Sequence, residues 1–309
     1  MEKIKKQALF ADLGLVAVAF VWGSGFVASK NALDSMSPMM LMTVRFAVAS
    51  LLSGFIFRKN LKNLSKDTIK SGCVIGFFLF TAFAAQMIGL QYMLAGKQAF
   101  LTATNVIMVP FIYWAVKKHR PDQYNFVAAF IMLLGLALLT IDFSVGFSFN
   151  PGDALTLLCA LLYACHIVVV GIYSKEHDPI ALTVIQLGFA AIVSLAYVIL
   201  TDEFTLAIPI PGLINGLYLG IFCTFLAFLG QTMAQKYTNS THAAIILSLE
   251  AVFGSLLSIM ILGEDFTLMM FLGCLVIFMG ILTAETKWSF LKIAFLKTKR
   301  DTPEKITEI

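Results

Sequence analysis

Apolar residues in this chain gather into long runs, at about residues 10–29, 38–57, 70–94, 98–116, 124–141, 153–173, 180–200, 212–235, 242–262 and 267–285. Most are about 18 to 25 residues long, which as an α-helix crosses a bilayer core of about 30 Å. The linkers are short, and none is long enough for a soluble catalytic domain. The pattern predicts an all-α integral membrane protein of ten transmembrane helices. The basic start Met1-Glu2-Lys3-Ile4-Lys5-Lys6 leads into a full-length span and reads as an uncleaved anchor.

Charge fixes the expected orientation. Of the 22 Lys and Arg residues, 19 fall on one side of this arrangement: three in the N-terminal tail, five in 58–70, three in 117–123, Lys175, Lys236 and six in the C-terminal tail. The opposite side has only Lys30 and Lys97, and its loops hold Asp142, Asp153, Asp202, Glu203, Glu264 and Asp265. Positive charge stays in the cytoplasm, so both termini are expected inside and the span count even. The expected location is the cell's inner membrane, with multiple passes through the lipid bilayer.

Composition agrees. The chain is 59% hydrophobic and 13% charged, with a mean hydropathy of +0.88, whereas a soluble domain carries about 25% charged residues. Cys73, Cys159, Cys165, Cys223 and Cys274 all lie in apolar runs without metal-like spacing. They read as small apolar fillers.

A repeat is visible. Placing Trp22 on Tyr163 puts Pro38 on Pro179 and Arg45 on Gln186. A slightly larger offset later in the chain matches Gln86 with Gln231, Tyr92 with Tyr237, Ala99 with Ala244, Phe126 with Phe271 and Gly135 with Gly280. Five spans per repeat is an odd number, so the halves are expected to sit upside down relative to each other. Such inverted repeats are typical of secondary transporters, with binding near the midplane. The expected organisation is a first five-helix repeat over 1–149, a second over 150–286 and a basic cytoplasmic tail over 287–309, in which Trp288 to Phe295 could lie on the membrane surface or be simply solvated.

With these segments in place, the chain resembles the drug/metabolite transporter superfamily and, within it, the EamA-type ten-helix members. The resemblance covers roughly residues 10–285. It rests on Trp22-Gly23-Ser24-Gly25-Phe26, Lys30, Pro38 and Arg45 in the first half. In the second half it rests on Asp178-Pro179, Ser248-Leu249-Glu250-Ala251-Val252 and Leu262-Gly263-Glu264. It implies a central cavity between the halves and transport, more often export, of amino acids or other small metabolites. The chain departs from the family at Ala251, where members often carry proline, so a weaker kink is expected there.

Several polar residues stand inside spans. Glu250 lies about 12 Å into span nine, where a carboxylate must be protonated, paired or facing a wet cavity. It is a candidate for substrate contact and proton coupling, against a structural hydrogen bond as the plainer alternative. Gly254 and Ser258 follow it on one helix face, as cavity wall or close packing. Arg45 could hold a carboxylate bidentately, snorkel outward or cap helix carbonyls. Trp22 shares a face with Gly25, Phe26 and Ser29, and Tyr163 shares one with His166. His166 is a second proton-coupling candidate. The amides Gln86, Asn105 and Gln231 could contact substrate or bridge helices. Lys30 and Lys97 read as interfacial anchors, and Glu264 and Asp265 as turn and helix-start charges. The candidate substrate-binding set is therefore Trp22, Phe26, Arg45, Gln86, Asn105, Tyr163, His166, Gln231 and Glu250.

No phosphate-binding glycine loop, GxSxG, HExxH or metal-ligand spacing is present. No enzyme chemistry, cofactor, metal or nucleic-acid partner is expected, and the basic loops are explained by topology. The expected function is secondary transport of a small metabolite, with protons as a candidate coupled partner, by a monomer or dimer. A transporter of organic cations or lipid-like molecules is the first alternative. A membrane sensor or enzyme without transport activity is the second.

Overall fold

The computed structural model describes residues 2–62, 64–118, 120, 123–142, 146–147, 149–265 and 267–288. The expected basic tail beyond Trp288, with its proposed surface segment, lies outside the described residues. Among the described residues the fold is all-helical apart from an antiparallel ribbon of two residues per strand, Ile141–Asp142 with Gly146–Phe147.

The first half comprises α1 (Glu2–Leu33), α2 (Pro38–Ile56), α3 (Lys66–Leu90), α4 (Ala95–Ala103), α5 (Asn105–Lys117) and α6 (Gln123–Thr140). The second comprises α7 (Pro151–Glu176), α8 (Pro179–Leu200), α9 (Ile210–Tyr218), α10 (Ala227–Gln235), α11 (Ser240–Leu247), α12 (Glu250–Leu257) and α13 (Leu268–Thr286). A π-helical segment, Leu219–Leu226, joins α9 to α10, and another, Ser258–Leu262, follows α12. Among the described residues eight helical stretches are long and apolar enough to cross a membrane. The other two expected spans fall on α6 and α13.

The helix starts have local causes. Prolines open α2 and α8, where a missing N–H costs nothing and the fixed φ suits the first turn. Ser37 Oγ accepts from the Met40 amide and Asp178 from the Ile180 amide. At α7, Asn150 and Asp153 form a reciprocal capping box, each side chain accepting from the other's backbone N–H.

Packing between the halves is reciprocal. α1 lies against α10 and α12, while its counterpart α7 lies against α3 and α5. α2 packs on the Leu219–Leu226 segment and α8 on α3; α2 meets α8, and α6 meets α13. Close contacts repeat residue by residue. A Cβ on Gly135 would strike Ile277, and one on Gly280 would strike Met132. Met132 and Ile277 occupy matching positions, 145 residues apart, as do the two glycines.

The last residue of the change of offset, from 144 to 145, has a structural cause. Gly76 packs on the Gln186 carbonyl and Phe189, and Gly220 on the Arg45 carbonyl and Val48. Gly220 follows Gly76 by 144 residues, but Gln231 follows Gln86 by 145. Between them lies the π-helical segment, and a π-bulge inserts one extra residue into a helix.

Candidate functional site

Between the halves lies a cavity with about 560 Å³ of open space, part of it continuous with the outside. Eight of the nine candidate residues line it: Trp22 and Phe26 from α1, Arg45 from α2, Gln86 from α3, Asn105 from α5, Tyr163 from α7, Gln231 from α10 and Glu250 from α12.

Arg45 is buried, at 3% exposure, and does not snorkel outward. Its Nε donates to Thr224 Oγ1 at 3.0 Å. Its guanidinium carbon sits 4.2 Å from the centre of the Phe83 ring and 5.8 Å from that of Phe46. A guanidinium over an aromatic face gains about 2 kcal/mol when desolvated. One nitrogen and one face are thus committed to the protein, and the paired terminal nitrogens are left for a ligand.

Glu250 and Asn105 are held by the same device. The fourth helix of each half is broken, between α4 and α5 at Thr104 and between α11 and α12 at Ser248-Leu249. The chain turns through tighter three-residue bonds there, Thr104 N–H to the Leu101 carbonyl and Leu249 N–H to the Ile246 carbonyl. Asn105 and Glu250 open the second segments at equivalent positions. Discontinuous helices of this kind frame midplane sites in secondary transporters. The break before Glu250 forms with alanine, not proline, at position 251.

The Glu250 carboxyl is 6% exposed, and among the described residues it has neither hydrogen bond nor ion pair. Both polar atoms of the Gln231 side chain and Oδ1 of Asn105 are also buried without partners. Leaving such groups unpaired costs about 1–3 kcal/mol each. Here all three residues face the cavity, where a ligand or water can satisfy them.

The other lining residues are braced. Trp22 Nε1 donates to the Cys223 carbonyl at 3.0 Å, within the π-helical segment, and its ring packs 5.1 Å from that of Phe228. Tyr163 O–H donates to Gln86 Oε1 at 3.3 Å. Phe26 packs with Leu90, Ala95 and Ala99 at one end of the cavity. Gly254 faces Ala99 and Phe26, so the small-residue face after Glu250 is a packing surface at that point.

His166 is the exception. It is fully buried but does not line the cavity: its Nε2 bonds Gln186 Oε1 at 2.9 Å, and its ring stacks edge-on to Phe228. Gln186, the counterpart of Arg45, is occupied in holding it.

Lys30 Nζ donates to the carbonyls of Leu90, the last residue of α3, and of Met93 in the turn after it. Lys97 pairs with the fully buried Asp153 at 2.7 Å. Glu264 is a helix-start charge, but of a different helix, accepting from the Ala95 and Gly96 amides at the start of α4.

Sequence reasoning missed Phe83, Met87, Ile167, Cys223 and Leu247 as cavity residues. Helical spacing would have found four of them. Phe83 lies three before Gln86, Met87 four after Phe83, Ile167 four after Tyr163, and Leu247 three before Glu250. Cys223 carries no such signal, because the π-helical segment resets the face.

A model of the EamA-like transporter family matches residues 9–141 and again residues 150–285. The chain belongs to the EamA-like transporter family. It is 36% identical over 282 residues to an uncharacterized transporter of Archaeoglobus fulgidus, covering 91% of this chain and 87% of that one. It is 26% identical over 296 residues to the uncharacterized transporter YoaV of Bacillus subtilis, covering 91% and 98%. A solved crystal structure of 16% identity matches 91% of this chain and 98% of its own with a TM-score of 0.69, and so shares the fold. With its apolar helices, this EamA-like chain is a multi-pass membrane protein of a transporter family.

Proposed function

We propose that the chain is a secondary transporter that moves a small zwitterionic metabolite, most simply an amino acid, by alternating access, with export the favoured direction. One observation carries the proposal: a single cavity presents the guanidinium of Arg45 and the unpartnered carboxyl of Glu250, and the two are not paired with each other. A substrate carboxylate meets Arg45 as two parallel N–H···O bonds. Its ammonium meets Glu250, aided by the free amides of Gln231 and Asn105. Glu250 is also the group that exchanges a proton when the cavity empties.

The proposal includes ten spans as two halves of opposite orientation. In its support, Lys30 at the end of α1 reaches the turn after α3, and Asp153 at the start of α7 reaches Lys97 in the first turn of α4. The first helix of one half thus ends where the first helix of the other begins.

A second reading has its own observation. Trp22, Phe26, Phe83 and Tyr163 around a lone carboxyl would suit an organic cation. Arg45 in the same cavity opposes it by like-charge repulsion. Counterflow of radiolabelled amino acids and of organic cations into sealed proteoliposomes separates the two. Accumulation of an amino acid against preloaded unlabelled compound supports the first; accumulation of organic cations alone replaces it with the second.

A further inference from the structure

The Lys97–Asp153 pair has a twin. Asp12 Oδ1 lies 3.2 Å from His242 Nε2. Asp12 and Asp153 are 141 residues apart, the spacing that relates Trp22 to Tyr163. Lys97 and His242 are 145 apart, the spacing that relates Asn105 to Glu250. The two contacts are one contact made twice with the halves exchanged. In each, an acid ten residues before the cavity aromatic of the half's first helix meets a basic side chain in the first turn of the other half's broken helix.

The contacts lie at opposite ends of the cavity. Along α1, Asp12 stands ten residues before Trp22. Lys30 stands eight residues after it and grips the turn that leads to Lys97. Asp12 and Lys30 are therefore separated by about 27 Å along the helix axis, with the cavity between them. Each pair also bridges the two halves, so neither survives if the halves part at its own end.

We propose that Lys97–Asp153 and Asp12–His242 are the two latches of the transport cycle, each holding the cavity shut at its own end and breaking when that end opens. This rests on the alternating-access reading above. The latches differ in burial. Asp153 is fully buried and Lys97 nearly so, and the same end is further tied by Glu264 and Lys30. Asp12 and His242 are each about one-third exposed, at 34% and 32%. Of the two pairs, Asp12–His242 is therefore the more accessible to solvent in this conformation. A 3.2 Å contact between carboxylate and imidazole is within hydrogen-bond reach, so the latch does not require a charged ring.

The test is side-specific labelling of the cavity. The native cysteines are replaced, Ser29→Cys is introduced as a reporter in the cavity wall, and a membrane-impermeant thiol reagent is applied to right-side-out and inside-out vesicles. Asp12→Asn should raise labelling several-fold from one side only, and Asp153→Asn from the other side only. Lys97→Gln, which leaves the Asn150–Asp153 capping box intact, should raise labelling from the same side as Asp153→Asn, which separates a broken latch from a damaged helix start. Unchanged labelling in both single variants, or a rise from the same side in both, would overturn the proposal. Because no substrate is needed, side-specific labelling in a protein without amino-acid counterflow would sink the substrate reading and leave the latches standing.

Discussion

Arg45 and Glu250 face one cavity from different halves of the chain without pairing with each other. A cation and a carboxyl in a confined, low-dielectric space attract strongly, and a direct contact would close the site on itself. The scaffold prevents this by occupying Arg45 elsewhere. Thr224 takes its Nε, and Phe83 supports its face. Each charge is thus positioned for a ligand.

Glu250→Gln keeps the shape of the site and removes its charge and proton. Flux of the parent protein should vary with pH, and flux of Glu250→Gln should be slower and flat across the mildly acidic to neutral range. The check is uptake into proteoliposomes at a series of matched pH values. Equal rates and an equal profile in the two proteins would remove Glu250 from the mechanism.

Arg45→Lys keeps the charge but loses the planar fork and its stacking on Phe83. Affinity for a carboxylate-bearing substrate should fall about tenfold, equivalent to about 1.4 kcal/mol. A titration by intrinsic fluorescence or calorimetry measures it. Undiminished affinity would mean that Arg45 serves the fold alone.

His166 sits behind the cavity, bonded to Gln186 and stacked on Phe228. His166→Asn should lower the melting temperature in detergent through lost packing and leave the pH profile of transport as in the parent. A flattened profile would return His166 to the proton pathway.

Gly23 lets α1 and α12 approach closely. A Cβ there would lie 2.6 Å from Phe253 Cβ and 2.8 Å from the Gly254 backbone nitrogen, neither of which can move aside. Gly23→Ala should destabilise the protein by about 1–3 kcal/mol, visible as a lower melting temperature. An unchanged melting temperature would show that the α1–α12 contact relaxes at little cost.

Much of this was legible in the sequence because a bilayer imposes simple rules. Run length gave the long apolar helices. Intramembrane polarity marked Arg45, Gln86, Asn105, Gln231 and Glu250, since an unneeded polar group in lipid is costly. What the sequence hid depends on partners distant along the chain. Lys97 finds its buried partner, Asp153, 56 residues further along the chain. Glu264 looks like a turn charge until the α4 amides arrive. His166 shares a helix face with Tyr163 yet faces Gln186, because i+3 spacing rotates the side chain just past the cavity edge. The break before Glu250 forms from tight backbone turns that no residue type announces.

The central claim is that the cavity recognises both charges of a zwitterion, and binding of three matched ligands to the purified protein tests it most directly. An amino acid carries both charges, its carboxamide only the ammonium and its N-acetyl derivative only the carboxylate. Measured by thermal shift and calorimetry, the amino acid should bind at least tenfold tighter than either derivative. Arg45→Ala should erase its advantage over the carboxamide, and Glu250→Ala its advantage over the N-acetyl form. Equal binding of all three, or preference for the carboxamide, would contradict the account.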